Sequence, residues 1–292
     1  MKRGVYPAAV TPFNAKGEPD FTAIVRLMAW YKAGGCAGVV LAGTNGEGPS
    51  LSAVEKRDLV KGAVALADGL EIILGVATPS LHEAIWLCKQ TAAAGAQGVL
   101  LMPPGFFRDA PDEAICQWFE AVLDSSPAPV LIYNFPQRTG VTIPAETMAR
   151  LAHHDKMMGL KDSSGNPDNI GAYADALSGT GKVLFVGDET LLIDVLKGGW
   201  TGTISGAANL IPGWLSQIVG EWETDPESAE AKFSLIEPAL RSIRSCPQPA
   251  ANKKMLFELG VIPSADVRLP LLGLATERIQ PTLDLVKSLT NP

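Results

Sequence analysis

One lysine, Lys161, stands at the end of an apolar run, "MMGLKDSS" over residues 157–164. Similar runs elsewhere end in Thr44 and Asn45, or carry Tyr133 and Asn134 and lead to Arg138. Others end in Gly187 and Asp188, or carry Thr203, Ile204 and Ser205. Together these are an amine, a phenol, several hydroxyls and an arginine, with few carboxylates and no histidine. A lysine held among apolar walls near an arginine has its ammonium form disfavoured, by desolvation and by like charge. The neutral amine can attack a ketone and form a Schiff base. The iminium is then an electron sink, and a neighbouring carbon can lose a proton to give an enamine. That route needs a proton shuttle, for which Tyr133 and Thr44 have hydroxyls. Arg138 can hold a carboxylate through two parallel hydrogen bonds. The backbone amides of "GTNGE" (43–47) can hold a second one.

Taken singly, each residue has a plainer reading. A lysine at a strand end often snorkels to the surface, and Thr44 beside Gly43 is ordinary turn chemistry. Asp162 and Asp188 read as loop or cap residues. The combination at several strand ends of one sheet is what favours chemistry. Other chemistries lack their signatures. His82, His153 and His154 fall on helical patterns and none sits in HExxH, so metal hydrolysis and Ser-His-Asp catalysis are unsupported and no metal is expected. "GTNGEG" (43–48) is not GxGxxG and lacks a Walker lysine, so no nucleotide cofactor is expected.

The elements that must position these groups follow from periodicity. Eight apolar, β-rich runs recur at 5–13, 38–45, 71–78, 98–104, 129–135, 157–163, 182–188 and 202–208. They are apolar nearly throughout, as in a parallel sheet covered by helices. Helical patterns lie between them. Residues 52–67 open with Ser52 and Glu55, a capping box. Residues 80–95 start at a Ser80 cap, and 111–126 have Pro111 near their start. Eight β-then-α units predict an α/β fold, a (β/α)8 TIM barrel, with an open doubly wound sheet as the alternative. After residue 210 the pattern is helical, near 212–222, 227–245, 249–260 and 276–290. The barrel is therefore assigned to residues 1–222 and a C-terminal α-helical extension to 223–292, with Pro247 and Pro249 marking a joint.

Bulk properties narrow the partners. The 292 residues carry a net charge of −7, so no basic face is implied and nucleic acid is an unfavoured partner. The four cysteines match no zinc or CxxC spacing and read as reduced packing residues of a cytoplasmic protein. The N-terminus lacks the long apolar core of a signal peptide. The uncharged stretch 198–220 is too rich in Gly, Ser, Thr and Pro for a membrane helix.

Four stretches, "GTNGE" (43–47), "YNFPQRTG" (133–140), "GLKDSSG" (159–165) and "VRLPL" (267–271), resemble in order and spacing the dihydrodipicolinate synthase / N-acetylneuraminate lyase family of pyruvate-dependent lyases and aldolases. The resemblance runs through essentially the whole chain. It implies a barrel with a helical extension, and a homotetramer built as a dimer of dimers. It also implies Lys161 as the Schiff-base lysine, Tyr133 and Thr44 as its proton relay, and a covalent imine in place of any cofactor. Arg138 falls on the arginine that holds the aldehyde's carboxylate in the synthase branch. Gly187 and Ile204 fall on residues lining the pyruvate pocket.

Departures from the family pattern bear on the substrate. Phe107 stands where the family often places a second tyrosine, given across the dimer to the partner's site. Asn45 replaces a second threonine of the carboxylate loop. Pro49, Ala53, Lys56, Ala84 and Phe106 do not match the positions that bind lysine in feedback-regulated members, so lysine inhibition is not expected. The resemblance thus implies pyruvate and an aldehyde as substrates, with 4-hydroxy-tetrahydrodipicolinate synthesis in lysine biosynthesis as the leading reading. A 2-oxo-acid aldolase or deoxy sugar acid dehydratase is the alternative. A catalytically idle barrel sensing a 2-oxo acid is the reading from a different class.

Overall fold

The computed structural model describes residues 1–290. Eight strands are parallel to their neighbours: β1 (Gly4–Pro7), β2 (Gly38–Leu41), β3 (Glu71–Val76), β4 (Gly98–Leu101), β5 (Val130–Asn134), β6 (Met157–Asp162), β7 (Val183–Val186) and β8 (Gly202–Ser205). Their order runs β1-β8-β7-β6-β5-β4-β3-β2. A parallel bridge from Ala8 to Val40 joins the two ends, with Ala9 N donating to Val40 O at 2.9 Å. The sheet thus curls into a (β/α)8 barrel, and the open doubly wound alternative is excluded.

Strand alternation divides the apolar residues between two cores. Tyr6, Val40, Ile73, Leu100, Leu131, Tyr133, Phe185 and Ile204 pack together inside the barrel. Their neighbours Val39, Ile72, Leu74, Val99, Leu101, Val130, Ile132 and Leu160 belong to the outer core beneath the helices. Lys161 follows Leu160 and pairs in register with Tyr133 on one side and Phe185 on the other. Both of those rings point inward, so the same parity turns Lys161 inward.

The strands are shorter than their apolar runs. The run at 38–45 stops being a strand at Leu41, because Ala42 adopts φ +52° and begins the "GTNGE" turn. The polar groups stand at the C-terminal ends of the strands or just past them: Tyr133, Lys161 and Asp162 close β5 and β6, whereas Thr44, Asn45 and Gly187 lie in the loops that follow β2 and β7. The expected helices form at Ala53–Ala65, Leu81–Ala93 and Asp112–Ser125. Ser52 and Glu55 make both capping-box bonds, and Ser80 Oγ accepts from Glu83 N at 3.3 Å. Pro111 caps its helix from outside rather than occupying its first turn. Further helices span Phe21–Ala33, Ala145–Leu151, Asp168–Ala176 and Leu192–Lys197. His82 is helical, whereas His153 and His154 lie in the turn after Leu151, where the chain reverses into β6.

Beyond β8, helix Pro212–Glu221 packs against helix Pro226–Ser245, followed by Ala250–Glu258 and Gln280–Thr290. Trp214 Nε1 donates to Leu289 O at 2.9 Å and ties the last helix down. Between Glu258 and Thr276 the chain runs without regular secondary structure, and there Arg268 reaches the barrel loops. All four cysteines are free, and three are buried. Burial pushes the Cys36 thiol up to about 12, the inert packing role expected. Among the described residues no helix is long and apolar enough to cross a membrane.

Candidate active site

Lys161 is 4% exposed, and its Nζ lies 4.3 Å from the centre of the Tyr133 ring. The two residues share a rung of the β5–β6 ladder, so the sheet itself sets their spacing. Phe135 stacks beside Tyr133, with centroids 5.7 Å apart. Gly187, just past β7, is glycine because Lys161 needs the room. A Cβ there would fall on Ser163 Oγ and lie 2.8 Å from Lys161 Cε.

These residues line a cavity of about 100 Å³ together with Gly43, Thr44, Asn45, Leu100, Arg138, Ile204 and Gly206. That is room for a small molecule rather than a nucleotide or a peptide. Thr44, Arg138 and Gln248 also border a second cavity of about 390 Å³, walled by Met102, Pro103, Pro270 and Leu271. The small cavity therefore opens outward past Arg138. The Arg138 guanidinium is exposed and forms no ion pair among the described residues, which leaves both its edges available to a carboxylate.

Most of the expected residues meet around this cavity: Lys161, Tyr133, Thr44, Asn45, Arg138, Gly187 and Ile204. Phe107 does not. It stands 67% exposed on the loop after β4, in edge contact with Phe106 at 5.2 Å. The hydroxyl that meets Tyr133 Oη is that of Ser163, donating at 3.3 Å. Ser163 was visible in "GLKDSSG" but carried no role, because its reach back across β5 depends on the barrel's curvature. Asp162 is an organiser of the loop. Its carboxylate accepts from Asn134 Nδ2 at 2.8 Å, Ser164 Oγ at 2.7 Å and Ser164 N at 3.1 Å. Asp188 caps Thr190 N at 3.1 Å.

A charged wall of the same cavity was not legible in the sequence. Glu189 is buried and accepts from Ser205 Oγ at 2.6 Å and Ala207 N at 2.9 Å. Arg244, from the helical extension, pairs with Asp188 at 2.8 Å and Glu189 at 3.2 Å. Gln248 completes this side.

The loop that carries Thr44 is gripped from the extension. Glu47 and Lys253 form an ion pair at 2.5 Å with both side chains fully buried. Lys253 Nζ also donates to Asp266 O at 2.7 Å and sits 3.9 Å from the Phe13 ring centre. Burial lowers the Lys253 ammonium to about 8, against the opposing pull of the Glu47 charge. Arg268 N donates to Glu47 Oε2 at 2.8 Å, and its guanidinium binds Gly17 O, Ser50 O and Glu55. That contact draws the Glu55 carboxyl down to about 2. "VRLPL" is thus a clamp on the loops rather than part of the reacting centre.

Fold and site define a class: (β/α)8 barrels with a buried lysine–tyrosine pair at the mouth. The family model described as "Dihydrodipicolinate synthetase family" matches residues 1–289, and the chain belongs to that family. It is 31% identical over 290 residues to a 4-hydroxy-tetrahydrodipicolinate synthase of Methanosarcina barkeri, covering 99% of each chain. Its structure is similar to that of the Methylacidiphilum fumariolicum 4-hydroxy-tetrahydrodipicolinate synthase, with a TM-score of 0.92 and 31% identity over 99% of this chain and 97% of that one. A second similar structure is the Acinetobacter baumannii dihydrodipicolinate synthase in complex with pyruvate. It has a TM-score of 0.93 and 29% identity over 99% of each chain.

Proposed function

We propose that this chain condenses pyruvate with aspartate semialdehyde to give 4-hydroxy-tetrahydrodipicolinate, through a Schiff base on Lys161. The observation that carries the reading is the buried Lys161 Nζ, 4.3 Å from the Tyr133 ring centre in a small cavity of about 100 Å³. Lys161 attacks the pyruvate ketone, and loss of water gives the iminium. A proton leaves the methyl carbon to form the enamine, with Tyr133 and Thr44 moving protons. The enamine carbon bonds to the aldehyde carbon, whose oxygen takes a proton. The amine of the semialdehyde then attacks the iminium carbon, closes the ring and releases Lys161. One water is lost overall, and no metal or nucleotide takes part.

In this reading Asn45 and the "GTNGE" amides hold the pyruvate carboxylate, while Gly187 and Ile204 shape its pocket. The unpaired Arg138 at the cavity mouth holds the carboxylate of the semialdehyde. The names of the relatives above support this choice of aldehyde. The second reading is an aldolase or dehydratase on a hydroxylated 2-oxo acid. The polar wall of Glu189, Arg244 and Gln248 favours it, since it offers partners to hydroxyl groups. The exposed Phe106–Phe107 pair is an apolar surface that suits a second copy of this chain, in keeping with the homotetramer that the family resemblance implies. We assign the protein to the cytoplasm.

Purified protein incubated with pyruvate and aspartate semialdehyde tests the reading by mass spectrometry. Cyclic product at an enzymatic rate is expected. Cleavage of 4-hydroxy-2-oxoglutarate or a 2-keto-3-deoxy acid, with no cyclic product, would transfer the assignment to the second reading.

A further inference from the structure

Asn252 is fully buried in helix Ala250–Glu258 of the extension, one residue before Lys253. Its Nδ2 donates to Gly206 O at 3.1 Å and to Asn45 Oδ1 at 3.0 Å. A backbone carbonyl can only accept, so the atom facing Gly206 O is the Asn252 nitrogen. The atom of Asn45 that meets this nitrogen must then be its oxygen. The Asn45 amide is thereby fixed, with its NH2 turned the other way. A Cβ placed on Gly206, in the wall of the Lys161 cavity, would lie 3.0 Å from Asn45 Nδ2. Among the described residues that NH2 makes no hydrogen bond, and it lies on the side of Gly206, in the cavity wall, where Gln248 Oε1 also lies.

The cost of this arrangement is visible. Asn252 Oδ1 is buried with no hydrogen-bond partner. Gly206 O does not require Asn252, because it also accepts from Asn209 Nδ2 at 2.9 Å. An apolar side chain at 252 would remove the unpaired oxygen and leave Gly206 O satisfied. What it would forfeit is the orientation of Asn45.

We propose that Asn252 is a positioning residue for substrate selection: it locks the Asn45 amide so that a donor, not an acceptor, faces the carboxylate of the bound 2-oxo acid. This rests on the Lys161–pyruvate reading. Adjacent residues of one helix thus grip both sides of Gly46, Asn252 through Asn45 and Lys253 through Glu47.

The test is borohydride trapping of the pyruvate imine, which needs no aldehyde. The half-saturating pyruvate concentration is measured for wild type, Asn252→Leu and Asn252→Asp. Asn252→Leu should raise it about tenfold, the loss of one hydrogen bond to an anion, with an unchanged trapping rate at saturation and an unlowered melting temperature. Asn252→Asp keeps the shape but offers an acceptor, which draws the Asn45 NH2 away from the cavity, so its rise should be at least as large. In an Asn45→Ala background, Asn252→Leu should add less than twofold. A folded Asn252→Leu or Asn252→Asp with wild-type half-saturation would overturn the proposal. So would a full tenfold effect in the Asn45→Ala background. No trapping in wild type at any pyruvate concentration would instead sink the Lys161 reading itself, and this inference with it.

Discussion

Replacing Gly187 by alanine probes the space around the reacting amine. The new Cβ would lie 2.8 Å from Lys161 Cε. Carbon atoms rest at about 3.5–4.0 Å, so Lys161 must retreat by about 0.7 Å or more. The same Cβ overlaps Ser163 Oγ, which must rotate away and so loses its 3.3 Å hydrogen bond to Tyr133 Oη. A displacement near 1 Å at a reacting group costs about 100-fold in rate. Gly187 is not among the residues of positive φ, so alanine strains no backbone. Stability should therefore change little while chemistry collapses. We expect Gly187→Ala to form the pyruvate imine about 100-fold more slowly, by stopped borohydride trapping and intact mass. Its melting temperature should stay close to wild type. A folded variant with a wild-type trapping rate would refute the steric account of the site.

Three further outcomes follow from the charged groups. Glu55 is drawn down to about 2 by Arg268, so its contribution is full above pH 4.5 and is lost as the pH falls toward 2. Because the pair is partly solvated, Glu55→Gln should cost only about 1 kcal/mol at pH 7, and urea midpoints of variant and wild type should converge by pH 2; a constant gap would contradict this. Lys253→Met leaves the Glu47 carboxylate buried without its cation and should destabilise by about 3–5 kcal/mol, read as a fall in the urea midpoint. A midpoint equal to wild type would show that the ion pair does not hold the "GTNGE" loop. Lysine titrated into the pyruvate-dependent assay should leave activity unchanged, whereas saturable inhibition would show that Pro49, Ala53, Lys56, Ala84 and Phe106 still form a regulatory site.

The barrel was legible in the sequence because each strand carries its own signal. A run such as "GVLLMPP" is apolar on both faces and is bounded by polar segments, so no distant information is needed. The strand-end residues were legible for the same reason, since Lys161 and Tyr133 each sit at the end of such a run. Helix Phe21–Ala33 was less visible, although Asp20 caps it by accepting from Thr22 N at 2.9 Å and Ala23 N at 3.1 Å. What could not be read were contacts whose partners are far apart in the chain. Asn45 and Asn252 meet across 207 residues, and Arg244 meets Glu189 across 55. Each of these residues has an ordinary local reading on a helix or in a turn. Only the fold of the extension over the barrel mouth gives it another.

The central claim is that Lys161 is the amine that captures pyruvate. The direct measurement is borohydride reduction in the presence of pyruvate, followed by proteolysis and mass mapping of the adduct, for wild type and Lys161→Arg. One stoichiometric adduct is expected on the peptide containing Lys161, absent from the arginine variant. An adduct on any other lysine, or no adduct in a folded protein saturated with pyruvate, would contradict it.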